Sequence, residues 1–154
     1  MGDIFESDFS TATVVSLFPL QELNLRRRPT LLAMRPGTRI VSNTFDMGEW
    51  RADSSVTRTP DCVNFCTAYQ WTVPAQAQGA WRLGAGELSL DQSFQRLDGF
   101  LRTGTDSQPL ADARLDGMQI RTSVGANRYV GEVRGDRMTG RINDGAPREA
   151  IRIR

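Results

Sequence analysis

The first patterned stretch of the chain, residues 13–20, is a nearly unbroken apolar run rich in β-branched side chains. A run without alternation predicts a strand buried on both faces, as in a parallel sheet. Pro19 fits only at its end. Residues 23–35 place Leu25, Leu31, Leu32 and Met34 on one stripe and Arg26, Arg27 and Arg28 on the outside, which predicts an amphipathic helix. Pro29 has no N–H to give, so this helix should kink there or start near Arg28. Arg35-Pro36-Gly37 is a stop signal, and residues 38–43 predict a second strand. The three elements make a β-α-β unit. Residues 45–61 are polar, include Gly48 and Pro60, and predict a long loop. Residues 63–73 are strand-like again and end at Pro74.

From Gly79 onward the pattern changes to period two. Leu88, Leu90 and Phe94 alternate with Glu87, Ser89 and Asp91; Met118, Ile120 and Val124 alternate with Gln119, Arg121 and Ser123. Strands are expected at 81–83, 87–94, 99–103, 110–115, 117–124, 129–134, 137–142 and 148–153. Between them lie Leu97-Asp98-Gly99, Leu115-Asp116-Gly117 and Arg134-Gly135-Asp136, which read as tight hairpin turns. Seven or eight such strands form an antiparallel meander that closes into a barrel or a two-layer sandwich. The predicted class is therefore α+β, mainly β: a short β-α-β Rossmann remnant over residues 1–61 with its acidic loop, then an antiparallel β barrel or sandwich over 62–154. Arg148, Arg152 and Arg154 are expected on the outer face of the last strand. Arg134-Gly135-Asp136, though it is a tripeptide that integrins read, fits a hairpin turn better.

Composition narrows the chemistry. The 154 residues contain no histidine, which removes the usual general base near neutral pH and any Ser-His-Asp or Cys-His arrangement within one chain. Zinc is disfavoured, because only Cys62 and Cys66 could supply soft ligands. On an extended strand these two would stand about 13 Å apart, so they are expected as reduced thiols. The net charge is +1, and no global field draws the chain to nucleic acid or an anionic membrane. The residues near Met1 are acidic, not basic, and no apolar run approaches the roughly 18 residues of a membrane helix. A cytoplasmic protein with neither nucleic-acid nor membrane partners is expected.

Two sets of residues resemble a known family. The first is Gly2-Asp3-Ile4-Phe5, then Leu23-Asn24-Leu25-Arg26, Arg28-Pro29, Leu31-Leu32, Arg35-Pro36-Gly37-Thr38-Arg39-Ile40-Val41-Ser42 and Phe45-Asp46-Met47-Gly48-Glu49-Trp50. The second is Trp71-Thr72-Val73-Pro74-Ala75 with Gly79 and Trp81. Together they resemble the C-terminal part of bacterial class I S-adenosylmethionine-dependent methyltransferases that carry a C-terminal β extension. The resemblance implies that Asp3 accepts from the adenine amino group, with Ile4 and Phe5 against the ring. The family's Gly-rich turn and its ribose-binding acid have no counterpart here. S-adenosylmethionine binding by the chain alone is therefore not expected.

Other candidates come from the residues themselves. Asp46, Glu49, Asp53 and Asp61 share one loop and could gather a hard cation such as Ca²⁺. Such a metal would polarise an ester or lactone carbonyl or activate water, with Asp46, Glu49 and Asp53 as the catalytic carboxylates. Trp50, Tyr69, Trp71 and Trp81 could line an apolar pocket where the two halves meet, or cement those halves together. The open edge of a two-strand remnant predicts a homo-oligomer. Three functions compete: a methyltransferase-derived fragment with a ligand-binding or structural role, a calcium-assisted ester or lactone hydrolase, and a methyltransferase half that needs a partner chain.

Overall fold

The computed structural model describes residues 7–153, in two compact units that divide between Val73 and Pro74. In the first, β1 (Val14–Leu17), α1 (Gln21–Leu32) and β2 (Arg39–Asn43) form the expected parallel β-α-β unit. β3 (Ser54–Thr57) and β4 (Thr67–Thr72) complete a four-stranded sheet of order β1-β2-β4-β3, with β4 antiparallel to both neighbours. Because β4 pairs with β2, the boundary expected at residue 61 shifts to Val73. Two parallel strands and one helix do not by themselves make a dinucleotide-binding sheet.

The helix differs from its prediction in start and in orientation. It begins at Gln21, eight residues before Pro29, which sits inside it on the exposed side. There water can serve the carbonyl that the missing N–H leaves free. Its buried stripe is Asn24, Arg27 and Leu31, whereas Leu25 is exposed. Arg27, expected outside, is buried with its guanidinium over the Phe9 ring.

The loop at 45–61 is more ordered than its composition suggests. Asp46 Oδ1 accepts from Gly48 N and from Gln21 Nε2, Asn24 Nδ2 donates to Phe45 O, and Arg28 donates to Met47 O. Gln21, Asn24 and Arg28 lie three and four apart, so one face of α1 supplies all three donors. Farther on, β3 pairs with β4. Cys62 and Cys66 form a disulfide with Cα atoms 5.7 Å apart. The expectation of separate reduced thiols assumed an extended chain; here Phe65, with positive φ, turns it back on itself.

The second unit contains β5 (Gly79–Leu83), β6 (Gly86–Ser93), β7 (Arg96–Thr103), β8 (Asp106–Pro109), β9 (Ala111–Asp116), β10 (Gln119–Val124), β11 (Asn127–Arg134), β12 (Arg137–Ile142) and β13 (Pro147–Arg152). The order β6-β5-β13-β12-β11-β10-β9-β7 is closed by β6 pairing with β7. This is an eight-stranded antiparallel barrel, with β8 as an extra ribbon on the edge of β7 ahead of β9. The core comes from inward positions of every second residue: Trp81, Leu88, Leu90, Leu97, Leu115, Ile120, Val133, Met138 and Ala150.

The three turn expectations fare differently. Gly117 and Gly135 do sit in hairpin turns at positive φ. Asp98-Gly99 instead lies inside β7, and the turn is Phe94-Gln95. Gly99 is required because a Cβ there would stand 1.9 Å from Ser89 O. The glycine marks a close strand approach and not a chain reversal.

Candidate functional site

The four loop carboxylates do not converge. Asp46 is occupied by Gly48 and Gln21, and Asp53 Oδ2 accepts from Thr72 N at 2.7 Å. Glu49 and Asp61 are exposed. Among the described residues no group of three or more Asp, Glu, His or Cys is placed to hold a metal ion. Calcium-assisted hydrolysis by Asp46, Glu49 and Asp53 thus has no geometry behind it.

The four pocket candidates fall into two separate cores. Trp50, Tyr69 and Trp71 form a cluster in the first unit, with ring centroids 6.1 Å apart for Trp50–Trp71 and 5.9 Å for Tyr69–Trp71. Trp71 Nε1 donates to Trp50 O at 2.7 Å. Trp81 belongs to the barrel core, where its Nε1 donates to Ala77 O and Arg152 lies over its ring at 4.2 Å. All three tryptophans are fully buried.

Asp3, Ile4 and Phe5 lie outside the described residues. Within those described, β1 runs into Phe18-Pro19-Leu20 and then α1, with no glycine-rich turn between strand and helix. That junction does not fit the methionine end of S-adenosylmethionine.

One apolar cavity is inside the barrel, at one end. It holds about 70 Å³. Its lining comes from the ends of β5, β7, β10 and β12 and the starts of β6, β11 and β13: Leu83, Leu88, Leu101, Ile120, Val124, Met138 and Ile142, with Thr122, Tyr129 and Arg148 as polar members. The other end is stoppered by its own chain. Ala75 and Ala77 are buried, and Gln92 binds both through the Ala77 N–H and the Ala75 carbonyl.

Two facing glycines line the cavity. Gly131 of β11 is paired directly with Gly140 of β12, and the next residue along this row is Arg148 of β13. At these two positions the strands approach closely, since a Cβ on Gly131 would stand 2.7 Å from Thr139 O. Sequence reasoning missed this site. The readable signal was a glycine at the centre of two consecutive alternating strands, GEVR and MTGR, where a turn could not be.

Comparison with known proteins points to methyltransferases. A stretch of 50 residues is 44% identical to a protein-lysine N-methyltransferase of Saccharolobus islandicus (strain REY15A), covering 32% of this chain and 31% of that protein. An RNA methyltransferase from Salinibacter ruber, solved in complex with S-adenosyl-L-homocysteine, is 43% identical over 49% of this chain and 46% of its own, with a TM-score of 0.43. The chain thus spans less than half the length of either relative. No family model matches it. The chain is methyltransferase-like in sequence, and its second unit is a closed β barrel. Among the described residues no helix is long and apolar enough to cross a membrane.

Proposed function

We propose that this chain is a methyltransferase-related module with a ligand-binding role, carried by the barrel, and that it does not transfer methyl groups alone. The observation behind the reading is the apolar cavity at one end of an otherwise filled barrel. The lining of this cavity is largely apolar, so an apolar occupant would regain the contacts that empty space forfeits. The cavity is small against the 300–1,000 Å³ typical of drug-sized ligands, so the occupant is a small apolar group and not a nucleoside.

Xenon tests this without involving charge, because dry apolar cavities take it up. Under xenon pressure, amide resonances of Gly131, Gly140 and Ile120 should shift while those of α1 stay still. An absence of shifts in the barrel would overturn the reading. For the methyltransferase side, calorimetry with S-adenosylmethionine should give no heat with the chain alone; a binding isotherm would refute that part.

A second reading has its own observation. Among the described residues β1 pairs only with β2, and Val14 is 46% exposed at that edge. An unpaired strand edge is a template for another strand, which a second copy or a chain supplying the remaining strands would provide. Light scattering at micromolar concentration should give a mass above 17.1 kDa; the monomer mass would dispose of the homo-oligomer.

A further inference from the structure

We infer that the barrel ligand is a small monocarboxylate, its apolar tail in the cavity and its carboxylate on Arg148. The inference rests on the ligand-binding reading above and names the ligand's chemical class.

Three observations converge. Arg148 stands two residues before the buried Ala150 and four before Arg152, which stacks on the core Trp81. Strand alternation therefore puts Arg148 on the inward face, and it lines the cavity. Its neighbours across β12 and β11 are Gly140 and Gly131, which line the same cavity. Arg148 also has no ion-pair partner among the described residues, whereas Arg102, Arg134, Arg137 and Arg152 each hold a carboxylate. No acidic side chain lines the cavity.

Arg148 is exposed to solvent at the cavity rim, so a ligand carboxylate exchanges water there for charge-assisted hydrogen bonds at little desolvation cost. A carboxylate matches the guanidinium fork in two parallel hydrogen bonds. A phosphate monoester would also match the fork, but its second negative charge and larger hydration shell suit an apolar rim less well. The size of the cavity restricts the tail to a short acyl chain or a single small ring.

The experiment compares hexanoate, hexan-1-ol and hexylamine as probes of nearly equal size, by NMR titration of the full chain at neutral pH. Hexanoate should bind about tenfold or more tighter than hexan-1-ol, and hexylamine weakest. Arg148→Gln should reduce hexanoate to the hexan-1-ol level and leave hexan-1-ol within about twofold. Ile142→Phe, at the rim, should block all three; should it fail to fold, Val124→Phe serves the same purpose. Equal binding of hexanoate and hexan-1-ol, or hexanoate binding indifferent to Arg148→Gln, would overturn the carboxylate assignment while the cavity reading survives. Failure of all three probes together with xenon would remove both. If hexyl phosphate outcompetes hexanoate, the assignment to a monocarboxylate is wrong.

Discussion

Trp71 donates its indole N–H to the carbonyl of Trp50 over 2.7 Å, and both residues are fully buried. The bond ties the end of the 44–50 loop to the centre of the first sheet, since Trp71 is paired with Ile40 of β2. Trp71→Phe keeps an aromatic ring but leaves the Trp50 carbonyl without that donor. We expect a loss of about 1–3 kcal/mol, read as a lower urea midpoint by far-ultraviolet circular dichroism. A change of only a few tenths would mean that water replaces the indole.

Asn24 gives the same loop its second anchor. Its Nδ2 donates to Ser42 Oγ at 3.0 Å and Phe45 O at 2.9 Å, and the side chain is fully buried. Asn24→Asp keeps the shape and turns a donor into an acceptor that faces a carbonyl oxygen. The cost at pH 7 should be about 3–5 kcal/mol, as for an uncompensated buried charge. Burial raises the introduced carboxyl's folded pKa above its unfolded value of about 4. The penalty is then fully present above the folded pKa and fades as pH falls toward the unfolded one. Urea midpoints of variant and parent should converge between pH 7 and pH 4; a constant gap would argue that lost packing, not charge, is responsible.

These residues also mark what the sequence could and could not say. The parallel β-α-β unit and the barrel were legible because each rests on hydrophobic period, and period is local. The orientation of α1 was not, because its buried stripe includes Asn24 and Arg27, polar residues that pay for burial with loop carbonyls and an aromatic ring distant in sequence. β3 was hidden for a related reason: Ser54–Thr57 is exposed throughout and is a strand only because β4 pairs with it. The metal loop failed because four carboxylates close in sequence need not converge; two are engaged with backbone N–H groups. Arg152 was expected on the outer face, yet it points inward, since stacking on Trp81 outweighs its charge.

Gly140 should tolerate no side chain. A Cβ there would stand 2.4 Å from Val130 O and 2.7 Å from Gly131 Cα. These are backbone atoms, which cannot swing aside. Gly140→Ala should therefore cost about 1–3 kcal/mol by overpacking, and should abolish the xenon shifts. Gly135 has open space around it, so Gly135→Ala carries only the penalty of its positive φ, about 1 kcal/mol, and leaves xenon binding intact.

The disulfide has a chemical test. Both cysteines are paired and none is free. Iodoacetamide under denaturing conditions should add no label before reduction and two afterwards, by intact mass. Because the enclosed loop is short, the chain-entropy contribution is about 2 kcal/mol, and the surrounding residues are largely exposed. Reduction should loosen this segment without lowering the barrel's thermal transition. Two labels on the unreduced protein would restore the reduced-thiol expectation.

Arg152 is the residue on which the stoppered end of the barrel depends most. Its guanidinium lies over Trp81 at 4.2 Å, pairs with Asp136 at 3.0 Å, and donates to the carbonyls of Gln76 and Gln78. One planar group thus holds the entering segment, the core indole and the β11–β12 turn. The same ion pair engages the aspartate of Arg134-Gly135-Asp136, which is consistent with a structural turn. Arg152→Ala removes all of these contacts and leaves two carbonyls to find water, and should cost about 2–4 kcal/mol. Arg152→Lys should recover less than half, because an ammonium cannot stack flat and donate in a fork at once. Thermal unfolding of the three proteins checks this. Full rescue by lysine would show that charge alone, and not the stacked fork, holds this end closed.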